Sequence, residues 1–209
     1  MAGRPGERPF AAARRFCGLL CAKPVLLTHP VYGGNNWYYT YGNSSDEQMM
    51  ADARLMSELA GGHPNRPYMI IDDGWQLSSE GGACNGGPWE GNARFPDMPG
   101  LAERMKAAGV RPGIWFRPLL VSHGVPKEWA RFVNEQGHIV LDPTVPEALD
   151  SIAESMSRLV GWGYELVKHD FTTFDLFGRW GFEMKASPSR LAAPFRDSCR
   201  TTAEIVLDL

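Results

Sequence analysis

Two apolar runs in this chain end abruptly in ionisable residues. "YELVKHDF" (164–171) carries Lys168 and Asp170 two positions apart, so an extended backbone puts them on one face and turns His169 to the other. "YMIIDDGW" (68–75) ends in Asp72 and Asp73, with Trp75 close behind. "GIWFR" (113–117) adds Trp115 and Arg117, and "NNWYYTY" (35–41) adds Trp37 and Tyr39. Carboxylates accept hydrogen bonds from vicinal hydroxyls, and an indole covers the C–H side of a sugar ring. Gathered in one cleft, such residues suit a neutral polyhydroxylated ligand. Cleavage of a glycosidic bond needs two carboxyl groups flanking it. Taken singly, an Asp after an apolar strand is commonly a turn or cap residue. A metal site is the competing use of clustered aspartates, but no His stands at ligand spacing beside Asp72 or Asp73. No metal and no cofactor are expected.

The elements that must position these residues alternate along the chain. An aromatic strand is predicted over 35–41. "SDEQMMADARLMSELA" follows as a helix, with Ser45 and Gln48 at capping-box spacing and Asp46 and Glu47 in its first turn. Met49, Ala53, Met56 and Ala60, flanked by Leu55 and Leu59, are its predicted apolar face. "RPYMIIDDGW" reads as a buried strand, and residues 76–97, rich in glycine, as a long loop. A short helix "LAERMKAAG" and a third strand "VRPGIWFRP" come next. Thr144 and Glu147 predict a capping box for "TVPEALDSIAESMSRLVGWG", and "YELVKHDF" is the fourth strand. A helix over 196–209, N-capped by Asp197, ends the chain, and "FTTFDLFGRWGF" (171–182) is predicted to be a loop. Strict alternation argues for a parallel sheet, either half of a (β/α)8 barrel or a doubly wound sheet. No Gly-rich phosphate loop joins a strand to a helix, which argues against a nucleotide site.

Composition narrows the partners. The 209 residues carry a net charge of −3 and no basic block, so nucleic acid is not an expected ligand. No run reaches the ~18 apolar residues of a membrane span, so no membrane partner is expected. Cys17, Cys21, Cys84 and Cys199 make neither a disulfide framework nor a zinc pattern. They are read as free thiols of a reducing compartment, hence a cytoplasmic location. Arginines precede a short apolar patch in residues 1–27, but Lys23 interrupts it, and a loose N-terminal arm is preferred to a signal peptide.

Taken in chain order, "GGNNWYYTYG", "MIIDDGWQ", "GVRPGIWFRP", "VLDPTVPEALD" and "ELVKHDF" resemble the α-galactosidase (melibiase) clan of glycoside hydrolases, most of all its bacterial-type branch, over residues 31–209. The resemblance implies an α/β fold of the (β/α)8 TIM-barrel type, with only about the first four strand–helix units present. Residues 1–30 are then an N-terminal arm or the remnant of a preceding domain. It further implies a retaining hydrolase of α-galactosides or related α-linked sugars, with Asp170 as nucleophile and Lys168 bonded to the sugar. Asp72 and Asp73 match the pair that holds the galactose O4 and O6 hydroxyls, Trp37 matches an aromatic wall, and Trp115 is a further wall. A glycoside is the expected partner, and homo-oligomerisation of the full-length protein stays open. Arg117 stands where the branch usually has an acid, which points to an acidic or differently decorated sugar or to a pairing with Asp73. The clan's acid/base, an Asp near the end of the sixth strand, has no match here, and neither Asp175 nor Asp197 is promoted in its place. The chain is therefore expected to be a fragment, inactive by itself. Galactosyl transfer within the same clan and a non-catalytic carbohydrate-binding relic are the alternatives.

Overall fold

The computed structural model describes residues 4–21, 23–25, 27–178 and 193–209. The chain divides into two compact units, Met1–Pro30 and Val31–Leu209. In the first, α1 (Pro9–Leu20) starts with proline at its N-terminal turn and buries none of its residues. Glu7 lies 3.0 Å from Arg15 across that turn. The segment expected to be an N-terminal arm thus contains a regular helix with no buried residue.

The second unit is built on a parallel sheet. Its chain order is β1 (Gly33–Asn35), α2 (Trp37–Thr40), α3 (Asp46–Ala60), β2 (Tyr68–Ile71), α4 (Met98–Ala107) and β3 (Arg111–Phe116). There follow β4 (Leu120–Val121), β5 (Ala130–Val133), β6 (Ile139–Leu141), α5 (Pro146–Gly161), β7 (Leu166–His169), α6 (Thr172–Phe177) and α7 (Thr202–Asp208). Strands β1, β2, β3 and β7 are hydrogen-bonded in that order, all parallel, with Tyr68 opposite Gly33 and Arg111, and Ile114 opposite Val167. Successive strands that pair in parallel need helical crossovers, and α3, α4 and α5 supply them. The sheet is open in the described residues; it does not close on itself.

The core lies between these helices and the sheet. Ile71, Ile114 and Phe116 come from strands; Met49 and Ala53 from α3, Leu101 and Met105 from α4, Ile152 and Leu159 from α5. The predicted face of α3 is narrower than expected: Leu55 and Leu59 are 55% and 72% exposed, while Met50 joins the buried side. Ser45 does cap α3, its hydroxyl accepting the Gln48 N–H, and Gly61 ends the helix in the left-handed region. Among the described residues no helix is long and apolar enough to cross a membrane.

Several elements depart from the sequence expectation, each for a local reason. The first strand covers 33–35, not 35–41. Asn35 Oδ1 accepts the Trp37 N–H at 2.8 Å, an Asx turn that takes the chain out of the sheet and into α2. The capping box at Thr144 is absent, because Asp142 Oδ1 accepts both the Thr144 N–H (2.9 Å) and its hydroxyl (2.6 Å). The last helix begins at Thr202, where Thr201 and Glu204 form a reciprocal box; Asp197 instead accepts the Cys199 N–H in a turn upstream. The stretch from 171 is not a loop at its start, since α6 occupies 172–177; its residues 179–182 lie outside the described set. Between β3 and α5 an antiparallel sheet ordered β4-β6-β5 is inserted, which the alternation did not foresee.

Close packing of β1 against β2 rests on Gly33, where an added Cβ would lie 1.8 Å from the Tyr68 carbonyl oxygen. Gly33→Ala is therefore expected to lower stability by about 1–3 kcal/mol through overpacking against backbone. Urea denaturation midpoints of the two chains measure it.

Candidate active site

The carboxyl ends of the four parallel strands converge on one rim, and each strand contributes differently. β1 ends in two asparagines that support rather than face a ligand. Asn36, fully buried, accepts the Asp72 backbone N–H at 2.8 Å, and Asn35 Nδ2 donates to Asp72 Oδ2. Asp72 is 2% exposed, so its charge needs partners. Besides Asn35 it accepts the Asp73 N–H on Oδ1 at 2.8 Å and the Lys168 ammonium on Oδ2 at 2.7 Å. Lys168 reaches from β7 across β3 to do so, and its Nζ also lies 3.7 Å from Asp170 Oδ2.

Asp170 sits one residue past β7, its backbone N–H donating to the Phe116 carbonyl at 2.9 Å. Both carboxylate oxygens are held. Trp115 Nε1–H donates to Oδ2 at 2.9 Å, and the Phe171 N–H donates to Oδ1 at 2.8 Å. Phe171 adopts a left-handed φ of 61° to present that N–H, a conformation that a bulky residue keeps only when its surroundings demand it. Trp115 is 1% exposed, ringed by Trp89 and Phe171, so it offers no open face and acts through its N–H. His169 turns away from this group, its ring nitrogen 3.0 Å from the Thr172 hydroxyl.

Trp37 and Asp73 lie beside this cluster in a cleft of about 510 Å³, within the ~300–1,000 Å³ of small-molecule sites. Tyr41, Glu80, Asn85 and Arg94 also line it; Asp72, Lys168 and Asp170 do not. The structure thus brings Asp72, Lys168, Asp170 and Trp115 into direct contact, and joins Asp73 to them through the Asp73 N–H. Gly74 lets the rim fold tightly: its φ is 112°, and a Cβ there would meet the Gly42 carbonyl oxygen at 2.2 Å. Gln76 clamps the turn, donating to Asp73 Oδ1 at 2.7 Å and accepting the Gly74 N–H. The glycine-rich segment that follows contains a 3-10 turn over Leu77–Gly82 and is pinned by Asn92, whose Nδ2 donates to the Gly74 carbonyl at 2.8 Å.

Arg117 does not pair with Asp73. Its guanidinium forms a two-pronged bond to Asp175 on α6, Nε to Oδ2 at 2.8 Å and Nη2 to Oδ1 at 2.7 Å, while Nη1 donates to Asn85 Oδ1 at 2.5 Å. Asp175, passed over in the sequence, is fully buried, and Arg117 is 3% exposed. Asn35, Asn36, Gln76 and Phe171 were also missed; only the paired asparagines at a strand end carried a sequence signal, that of an Asx turn. Among the described residues no three His, Cys, Asp or Glu side chains gather as a metal site.

Burial raises the Asp73 carboxyl above its ordinary value; the Gln76 hydrogen bond opposes this, and the Asp72 charge adds to it. The folded chain then holds this proton more tightly than the unfolded one, so ionising Asp73 costs stability as pH rises through that raised value. Asp73→Asn keeps the acceptor for Gln76 and removes the charge. It is expected to be more stable than the parent at neutral pH, with an advantage that shrinks toward about pH 4. Denaturation midpoints across that range check it, and a pH-independent difference contradicts it.

No family model matches the chain. It is 27% identical over 151 residues to α-galactosidase AgaA of Geobacillus stearothermophilus, covering 66% of this chain and 19% of that protein. Among solved structures, TtGalA, an α-galactosidase from Thermus thermophilus in complex with p-nitrophenyl α-D-galactopyranoside, matches with TM-score 0.54 and 28% identity, covering 70% of this chain and 32% of that one. The crystal structure of AgaA from G. stearothermophilus matches with TM-score 0.57 and 25% identity, covering 68% and 21%. The chain thus spans between about a fifth and a third of the length of these relatives. Their likeness, together with the ordered motifs and the parallel sheet that carries them, bears out the resemblance of this chain to the α-galactosidase (melibiase) clan of glycoside hydrolases.

Proposed function

We propose that the chain carries the nucleophile side of a retaining α-galactosidase-type site, on a sheet that forms the first four strands of a (β/α)8 barrel. One observation carries the reading: the Lys168 ammonium lies between Asp72 and Asp170, 2.7 and 3.7 Å away, at the carboxyl ends of parallel strands. That end of a parallel β/α fold is where catalytic groups are placed. Asp170 is assigned as nucleophile. One of its oxygens attacks the anomeric carbon as the bond to the leaving oxygen breaks, giving a glycosyl ester that water later hydrolyses with retention. The Trp115 and Phe171 N–H groups aim the carboxylate, one on each oxygen. Asp72 and Asp73 are assigned to sugar hydroxyls, Lys168 to a hydroxyl between them and Asp170, and Trp37 to the apolar face of the ring. Trp115 supports the nucleophile from within the core in this reading.

The substrate class proposed is an α-linked galactoside, the ligand type named for TtGalA. Departure of an ordinary alcohol also requires a proton from a second carboxyl group. Asp72 is committed to Lys168 and Asn35, and Asp175 to Arg117, so we assign that proton to none of the described carboxylates.

The test avoids that step by using α-galactosyl fluoride, whose leaving group departs without a proton. The chain is expected to release fluoride in a burst stoichiometric with protein, slowed at least about 1,000-fold in Asp170→Ala. Release at the spontaneous rate, or an undiminished burst in the variant, overturns the assignment.

A further inference from the structure

The ion pair between Arg117 and Asp175 is buried, bidentate and outside the cluster that faces the sugar. Burying two charges is costly, and a pair of well-packed apolar side chains often serves stability as well. Stability alone is therefore a weak reason for this pair. Its neighbours suggest another. The Arg117 guanidinium carbon lies 4.1 Å from the centre of the Phe171 ring, stacked on its face. Phe171 is the left-handed residue whose N–H holds Asp170 Oδ1. Its carbonyl accepts the backbone N–H of residue 175 at 2.8 Å, the first bond of α6, so the Asp175 side chain that anchors Arg117 stands one turn from Phe171. Phe171 is thus held at its ring by Arg117, which the Asp175 carboxylate anchors, and at its carbonyl by the first bond of α6, and its remaining backbone group aims the carboxylate.

We infer that Arg117 and Asp175 are positioning residues for Asp170, acting through Phe171. This rests on the assignment of Asp170 as nucleophile. The pair clamps the segment in which a strained φ would otherwise relax, and relaxation would swing the Phe171 N–H off Oδ1. The third arm of the clamp, Arg117 Nη1 to Asn85, ties the same unit to the segment lining the adjacent cleft. The nucleophile and one wall of the cleft are therefore set by a single guanidinium. A planar fork with fixed spacing suits this task, and a lysine, a point charge on a flexible stem, does not.

The double variant Arg117→Met/Asp175→Leu removes the clamp without stranding a buried charge, and Arg117→Lys with Asp175 intact keeps the charge but not the fork. Two readouts are made on the full chain. Amide exchange at Phe171 is expected to accelerate at least tenfold in both variants, while amides of Ile71 and Ile114 in the sheet keep their protection. The fluoride burst from α-galactosyl fluoride is expected to slow about 100-fold, as small misplacements of a reacting group do, with half-saturation changed less than threefold. Arg117→Lys is expected to recover little of either. A Phe171 amide and a burst both unchanged in the double variant overturn the inference, as does a uniform loss of protection across the sheet, which marks a purely structural pair. If the parent chain gives no burst, the galactosidase reading fails, and the Phe171 amide alone then decides whether the clamp exists.

Discussion

A buried carboxylate is the constraint around which this sheet end is organised. Asp72 sits at 2% exposure where an uncompensated charge would cost several kcal/mol, and three separate groups answer it, Asn35, the Asp73 backbone and Lys168, while Asn36 accepts the Asp72 backbone N–H. One of these comes from the end of β1, the residue after Asp72 supplies one, and the last crosses from β7. Meeting the demands of one side chain therefore brings three strands into register at their carboxyl ends. It also spends much of the Lys168 charge before any ligand arrives, leaving the ammonium within 4 Å of Asp170 but bonded elsewhere.

Asp170 is governed by a different economy. It is only partly buried and is held by N–H groups rather than by a close ion pair: an indole in the core on one side, a strained main-chain amide on the other. Donors fixed in direction orient a carboxylate without moving when charge shifts on it, which is what the role proposed for Asp170 would require. Trp115 makes this concrete. It lies near the carboxyl end of β3, its own carbonyl accepts the Trp75 indole N–H at 2.9 Å, and its indole is packed among aromatic rings, so its donor direction is set by the core.

Much of this arrangement was legible in one dimension. Apolar runs stopped by Asp72–Asp73 and by Lys168–Asp170 located two strand ends, because a buried strand has no other place for charge. Alternation of strands with capped helices implied a parallel sheet, and β1, β2, β3 and β7 do pair in parallel in chain order. The insertion β4-β6-β5 escaped because its strands are two to four residues long, too short for any periodicity to register. The Thr144 box and the Asp197 cap failed for a related reason. Each side chain had a nearer backbone or carboxylate partner that spacing alone does not rank.

By itself, then, the sequence determined which residue types stand at the strand ends, the parallel alternation and the resemblance to the α-galactosidase clan. Those depend on local pattern, on alternation of side-chain direction and on order along the chain. Which groups touch was decided by tertiary structure. Arg117 and Asp175 are 58 positions apart, Lys168 and Asp72 are 96 apart, and nothing local in either segment names the other. Only when β3 packs between β2 and β7 does the guanidinium find a buried acid on α6 instead of Asp73, and only the aromatic core around Trp115 turns a predicted wall into a hydrogen-bond donor. Charges choose partners by distance and burial, and both quantities come into existence with the fold.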